Sequence, residues 1–346
     1  MYKLLLCVLM ASAAPAQTVP PGDVVGVGNF IHVVSNLDKS LEFYHDVLGM
    51  DLQRAPGAQG PAGPRPFLAT PEVPRLYNAV GAQYRVLSAL VPESPMRAEL
   101  VEFKDVDRKP VRPRVQDPGA SILVLTVRDL APVLARVKMS TATVVTGGGN
   151  PVRLGFDGSQ AVLVSDPDGF FVELVQHDPA PATKAPAESN FIDVGFTFVV
   201  SDTSRMVRVF KDALGFELQT GPFATDRSLE KLTSVGGMQV RRTTTTVPGT
   251  SFHVEFLEFK GRDRKPVHSR LQDPGSGVLR LVVRDVDTSV KKLGSSDVKV
   301  ASAGGEVISL PGGNTTLRAA ITSAPDNLFV QVLQAPTPAA PSAKKQ

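Results

Sequence analysis

Residues 102–129 read EFKDVDRKPVRPRVQDPGASILVLTVRD, and residues 258–285 read EFKGRDRKPVHSRLQDPGSGVLRLVVRD. Eighteen of the 28 positions are identical, more than shared composition would produce. Each copy leaves an apolar strand, crosses a charged connection marked by Pro and Gly, and enters a second apolar strand ending in Arg-Asp. A repeat of this length implies two related halves, so a residue in one half can be read against its counterpart in the other. The connection itself reads as structural: its charges can pair locally and its prolines stiffen it, with ligand contact by Arg114 and Arg270 as the sharper alternative.

Working outward, an apolar strand at 24–34 leads to a helix capped by Asn36 or Asp38, with Leu41, Tyr44, Val47 and Leu48 on one face. Strands follow at 83–91 and 96–103. The pattern recurs with a strand at 122–127, a helix from Asp129 to about Met139, and an Asp166-Pro167-Asp168-Gly169 hairpin entering a strand at 170–176. The second half repeats it: a strand at 194–200, a helix capped by Ser201 or Asp202, strands at 251–259 and 278–283, and a helix at 285–293. Ala324-Pro325-Asp326-Asn327 then turns into a strand at 328–334. Between the halves, 179–189 is a Pro/Ala linker that cannot pack a core. Four β-α-β-β-β units make an α+β fold, expected as a first domain at 24–178 and a second at 190–335.

The chain has 346 residues, 42% apolar and 21% charged, with a net charge of +3. That is ordinary globular composition, without the basic field of a nucleic-acid binder. Aromatic residues are 6% and tryptophan is absent, which gives little support for stacking bases. At the N-terminus Lys3, the apolar run 4–10 and Ala14-Pro15-Ala16 read as a signal peptide over 1–16, so export to a periplasm or beyond is expected. The run is too short to leave a membrane span in the mature chain. Cys7, the single cysteine, falls inside that signal, which leaves the mature chain no thiol chemistry. Residues 336–346 are expected to be a disordered tail.

The opening FIHVVSNLDKSLEFYHDVLGM (30–50) and the closing SDPDGFFVELVQ (165–176), set in four such units, resemble the vicinal oxygen chelate superfamily. That superfamily includes glyoxalase I, extradiol dioxygenases and bleomycin resistance proteins. The resemblance implies units paired into two half-barrel domains, each with a central cup, and in catalytic members a divalent metal held by first- and last-strand residues. Carried onto this chain, the first-strand ligand positions fall on Asn29, Ile122, Gly195 and Val278, none of them histidine. The last-strand positions fall on Glu99, Glu173, Glu255 and Gln331. A divalent metal wants three or more strong N/O ligands. The first half offers only Glu99, Glu173 and the weak Asn29, so no metal is expected and these three are the residues that would hold one.

Among other candidates, His253 lies two residues before Glu255 on one strand face, where it could act as an acid–base partner or line the pocket. Arg97 holds the matching place in the first half and could pair with Glu173. His32 is expected to face the helix, away from the cup, unless a bulge rotates it. His45, His177 and His268 read as surface or loop residues. The Gly/Pro-rich segment 54–74 sits where a lid over the first cup would lie; its counterpart, 220–237, is shorter and more charged, so the cups should differ.

The functional expectation is binding of a small organic molecule in the first-half cup, with pocket candidates Asn29, Arg97, Glu99, Glu173, His253 and Glu255. The alternatives are a divergent metal enzyme of glyoxalase or extradiol dioxygenase type, and a structural or partner-binding module with filled cups. Nucleic acid is not an expected partner, and either a monomer or a homodimer is compatible with four units in one chain.

Overall fold

The fold is that of a computed structural model, which describes residues 22–53, 66–92, 94, 96–155, 157–312 and 315–334. The expected signal segment 1–16, the stretch 54–65 of the expected lid and the tail 336–346 lie outside the described residues.

The first unit comprises β1 (Val24–Val33), α1 (Leu37–Leu41) running on as a π-helical segment Glu42–Val47, β2 (Asp51–Leu52), α2 (Glu72–Leu76), β3 (Gln83–Leu90) and β4 (Arg97–Lys104). The second comprises β5 (Ser121–Val127), α3 (Leu130–Met139), β6 (Thr143–Val144), β7 (Val152–Arg153), β8 (Gln160–Ser165) and β9 (Phe171–Gln176). The third comprises β10 (Phe191–Val200), α4 (Thr203–Val207) with a π-helical segment Arg208–Ala213, β11 (Leu218–Thr220), α5 (Arg227–Thr233), β12 (Gln239–Thr246) and β13 (His253–Lys260). The fourth comprises β14 (Gly277–Val283), α6 (Val286–Gly294), β15 (Lys299–Val300), β16 (Ile308–Gly312), β17 (Thr315–Ala324) and β18 (Leu328–Gln334). Asn36, Asp129, Asp202 and Asp285 cap α1, α3, α4 and α6 by accepting first-turn backbone N–H groups, as a short polar side chain in extended backbone can. Two helices depart from the sequence reading. α2 occupies the end of a segment taken as irregular, and α5 lies inside the charged segment 220–237.

The strands form two nine-stranded sheets, and their order corrects the expected pairing of units. One sheet runs β15-β17-β18-β14-β1-β4-β3-β2, with β16 on β17, and is built from units one and four. The other runs β11-β12-β13-β10-β5-β9-β8-β6, with β7 on β8, and is built from units three and two. The seams are antiparallel: β1 against β14, and β10 against β5. Each half therefore does not close its own cup. The linker 179–189 joins two units of one sheet rather than separating two packed bodies.

The quoted stretches mark the two places where the chain crosses between sheets, at β4 to β5 and at β13 to β14. Their shared residues grip one another reciprocally. Asp117 accepts the backbone N–H of Lys265 and Asp273 that of Lys109, both at 2.8 Å. Val111 N–H donates to Pro274 O at 2.7 Å, and Val267 N–H to Pro118 O at 2.8 Å. Arg114 holds Asp117 and reaches Asp263; Arg270 holds Asp273 and reaches Asp107. Gly275 is required here. It has φ +94°, and a Cβ would stand 2.3 Å from the carbonyl oxygen of Val111. Glu102 and Glu258, also shared, accept the N–H groups of Leu37 and Thr203 at the starts of α1 and α4. The structural expectation for the connection holds, and Arg114 and Arg270 are spent on it.

Alternation along the strands gives each sheet two faces. The helix-bearing faces of both sheets share one core, in which the corresponding residues Phe30 and Phe196 stack at 4.5 Å. The opposite faces are the cups. In the cup of units one and four, Ile31, Val33, Val101, Phe103 and Phe329 pack with Leu76 and Tyr77 from α2 and its end. In the cup of units two and three, α5 buries Leu229 and Leu232 against Leu154, Leu163 and Leu257. Burying one such leucine contributes about 2 kcal/mol.

Candidate functional site

The cups differ most at the level where the ligand positions were expected. In the cup of units one and four, Asn29 on β1 donates its side-chain N–H to Glu99 on β4. Arg280 on β14 grips Glu99 with both terminal nitrogens, at 3.1 and 3.2 Å, and donates Nε–H to Gln331 Oε1 at 2.9 Å. Burial would lower the Arg280 pKa, but Glu99 holds it above the ordinary value, so the guanidinium stays charged. Gly28 makes this possible, since a Cβ there would lie 2.6 Å from Arg280 Cδ. Val278, the residue singled out on β14 by counting, packs in the apolar floor. Tyr77 Oη and Gln331 Nε2 are buried there without a hydrogen-bond partner among the described residues.

In the cup of units two and three the corresponding positions carry Gly195 on β10, Glu255 on β13, Val124 on β5 and Glu173 on β9. Valine stands where Arg280 stood. The arginine comes instead from β12: Arg242 contacts Glu255 at 2.5 Å and Asp226 at 3.5 Å. In the first unit Val86 takes its place. Thr197 Oγ1–H donates to the other oxygen of Glu255 at 3.3 Å. Each cup thus sets one guanidinium on one glutamate, but from different strands.

Because Val124 is short and Gly195 has no side chain, this cup remains open. Its cavity of about 590 Å³ is walled by Ile122, Val124, Leu154, Leu163, Leu229 and Leu257, with Glu173, Glu255, Arg242 and Thr244 as polar lining. Asp157 and His177, 3.5 Å apart, lie on its border, and His253 lines it while otherwise exposed. Glu173 has no hydrogen bond or ion pair among the described residues. Burial, then the nearby Glu255 carboxylate, pushes its pKa up to about 7 from the ordinary 4.5, with Arg242 opposing.

The sequence-derived set is therefore divided. Asn29 and Glu99 share one cup with Arg280, while Glu173, Glu255 and His253 line the other. Arg97, on β4, belongs to the first sheet and does not meet Glu173, whose charged neighbours are Glu255, Arg242 and Asp157. The reason is strand order, since β9 lies beside β5 in one sheet and β4 beside β1 in the other. Arg242 and Arg280 were not singled out from sequence. Arg280 had a signal, a basic residue set between Leu279 and Leu281 in an apolar strand; Arg242, in the polar strand QVRRTTTT, had none.

The donor sets do not fit the divalent metal that catalytic members of such a fold hold. In one cup a guanidinium occupies both oxygens of Glu99. In the other, glycine and valine stand at two of four positions, and Glu255 is bound to Arg242. A separate buried group, His32, Asp166 and Asp168, places three ligand atoms within 4.8 Å of one another. It lies on the helix side of the first sheet, as expected for His32. Its atoms are already used: His32 Nε2 meets Asp166 Oδ2 at 2.8 Å, Asp166 Oδ1 accepts two backbone N–H groups, and Asp168 accepts Ser35 N–H at 3.0 Å. Phe198 and Ala324 stand at the places corresponding to His32 and Asp166, with Phe210 for Tyr44.

Residues 26–174 match the model of the Glyoxalase/Bleomycin resistance protein/Dioxygenase superfamily. Glyoxalase I from Zea mays superposes with a TM-score of 0.57 at 15% identity, over 89% of this chain and 92% of that one. A putative dioxygenase from Bacillus subtilis superposes with a TM-score of 0.52 at 11% identity, over 91% of this chain and 86% of that one. At such identities the likeness is one of fold. A search of curated proteins found no match.

Proposed function

We propose that the chain, whose residues 26–174 match the glyoxalase/bleomycin resistance protein/dioxygenase superfamily model, binds a small organic molecule in the cup of units two and three, without a resident metal. One observation carries this reading. Of two cups built to the same plan, one is filled by Arg280, Tyr77 and apolar side chains, and the other keeps a 590 Å³ cavity with convergent polar groups. The site moves from the first-half cup expected from sequence to one shared by both halves. The metal-enzyme alternative loses its donor set, because Asn29 and Glu99 stand apart from Glu173. The filled-module alternative describes only the other cup.

The test is a thermal-shift screen of small organic compounds on the wild type and on Val124→Phe, which fills the cavity at a position where the other cup accepts Arg280. Ligands that bind the folded state raise its melting temperature by mass action. Compounds that stabilise the wild type should lose that effect in the variant. No stabilising compound, or stabilisation indifferent to Val124→Phe, would remove the proposal.

The same reading includes export, supported by Lys3, the apolar run 4–10 and Ala14-Pro15-Ala16. A purified mature chain beginning at Gln17 would bear it out. No helix among the described residues is long and apolar enough to cross a membrane. The two halves are read as copies of one ancestral pair of units, supported by the 18 identities between the quoted stretches. Both sheets are complete within one chain, which supports a monomer.

A further inference from the structure

We infer that the open cup selects an organic cation, a protonated amine on a largely apolar body, with the ammonium set against Glu173. This rests on the small-molecule reading above and names the class of ligand. The observation is an imbalance of charge. Among the described residues, Asp157, Glu173, Asp193 and Glu255 line the cavity with Arg242 as their one full cation, alongside the histidines His177 and His253. That guanidinium is already shared by Glu255 at 2.5 Å and, from behind the wall, Asp226 at 3.5 Å.

The other cup is the internal control. There, among the described residues, the carboxylate of Glu99 meets the guanidinium of Arg280, and the position of Glu173 is held by neutral Gln331, which accepts from Arg280 at 2.9 Å. Where charge is balanced the cup is closed; where a carboxylate is left over the cup is open. A carboxylate facing an apolar cavity without a partner is costly unless it is protonated or a cation reaches it. A neutral ligand leaves that cost in place, and an anion adds repulsion from Glu173 and Glu255. An ammonium removes it, while the apolar walls at Ile122, Val124, Leu163 and Leu257 take the body of the molecule.

The groups facing Glu173 are Glu255 and Arg242 from β13 and β12, and Asp157 with its partner His177 from the border. With its pKa held up to about 7, chiefly by burial and then by Glu255, Glu173 binds an ammonium only after losing its proton. Amine affinity should therefore fall as pH drops below 7, by up to about ten-fold per unit, while affinity for a neutral isostere stays level.

The experiment measures binding of 1-naphthylmethylamine, 1-naphthalenemethanol and 1-naphthoate to the full mature chain by calorimetry at pH 8 and pH 6. The amine should bind about ten-fold or more tightly than the alcohol at pH 8, and the carboxylate weakest. In Glu173→Gln, which reproduces the residue of the other cup, the amine's advantage should vanish and the alcohol's affinity stay as it was. The inference is overturned if the alcohol or the carboxylate matches the amine, or if Glu173→Gln keeps the preference. If no naphthyl probe binds while screened compounds still bind in a manner lost on Val124→Phe, the cation inference falls and the small-molecule reading stands. If nothing binds in that manner, both fall.

Discussion

Asp117 accepts the backbone N–H of Lys265 at 2.8 Å across a separation of 148 residues, and the bond has a twin from Lys109 to Asp273 at the same distance. In this way two connections that look alike in sequence become one clasp, each supplying the acceptor the other needs. It is built where the chain passes from the first sheet to the second and where it returns.

Removing either acceptor should unfasten the crossing. Asp117→Ala leaves the Lys265 N–H without its acceptor and Arg114 with Asp263 alone, a loss on the order of 2 kcal/mol for a charge-assisted bond. Asp273→Ala should cost the same within about 1 kcal/mol, since its contacts are the reciprocal ones. Urea unfolding of both variants checks this, and an Asp117→Ala chain as stable as wild type would refute the clasp. Asp117 is pressed toward a higher pKa by partial burial, but the Arg114 contact and the Lys265 N–H bring it below the ordinary 3.8. Its contribution is therefore complete above pH 4 and fades as pH falls through the lower folded value.

The buried His32–Asp166 pair should behave differently. Its counterpart is apolar, Phe198 with Ala324, so the fold accepts both chemistries at this place. His32→Phe takes from the buried Asp166 its imidazole partner, and Asp166→Ala takes from His32 its carboxylate and from two backbone N–H groups their acceptor, each at about 3 kcal/mol. The double variant should recover a large part of the sum, measured as a coupling energy in a double-mutant cycle. Burial lowers the His32 pKa, but Asp166, by charge and hydrogen bond, and then Asp168 raise it above 6.5 overall. A histidine that holds its proton more tightly when folded stabilises most below 6.5 and less as pH rises through its folded value. Wild type should lose more stability over that rise than the double variant does.

Glu173 should titrate against stability in the same direction for another reason. Folding raises its pKa from 4.5 to about 7, so the folded state favours the protonated acid. Stability is greatest below pH 4.5 and declines as pH climbs toward 7. Glu173→Gln should erase about 1–3 kcal/mol of that decline, solvent in the cavity weakening the full effect. Unfolding at pH 5 and pH 8 would show the variant gaining more on the wild type at pH 8 than at pH 5; equal gains at both would assign the effect to packing.

Metal content separates the cups from the His32 group. After reconstitution with Mn, Fe, Zn and Ni, elemental analysis should find well under one equivalent of any divalent metal. A stoichiometric metal lost on Glu173→Gln would place it in the open cup against the donor count. One lost only on His32→Phe would show that the 4.8 Å group exchanges its hydrogen bonds for coordination.

Much of this was legible along the chain, because much of it is local. The caps at Asn36, Asp129, Asp202 and Asp285, the 166–169 turn and the alternating strands follow from side chains acting within a few residues of themselves. The inward direction of Asn29, Glu99, Glu173 and Glu255 follows from the same two-residue alternation. What the tertiary structure alone decided was which of these face one another. Strand pairing is a long-range choice, made at the β1–β14 and β10–β5 seams, and no local pattern distinguishes units one and two from units one and four as partners. That choice put Arg280 on Glu99 and sent Glu173 to the other cup. The 102–129 and 258–285 stretches announced the repetition, but only the folded chain made them two halves of one fastening, since each supplies what the other lacks.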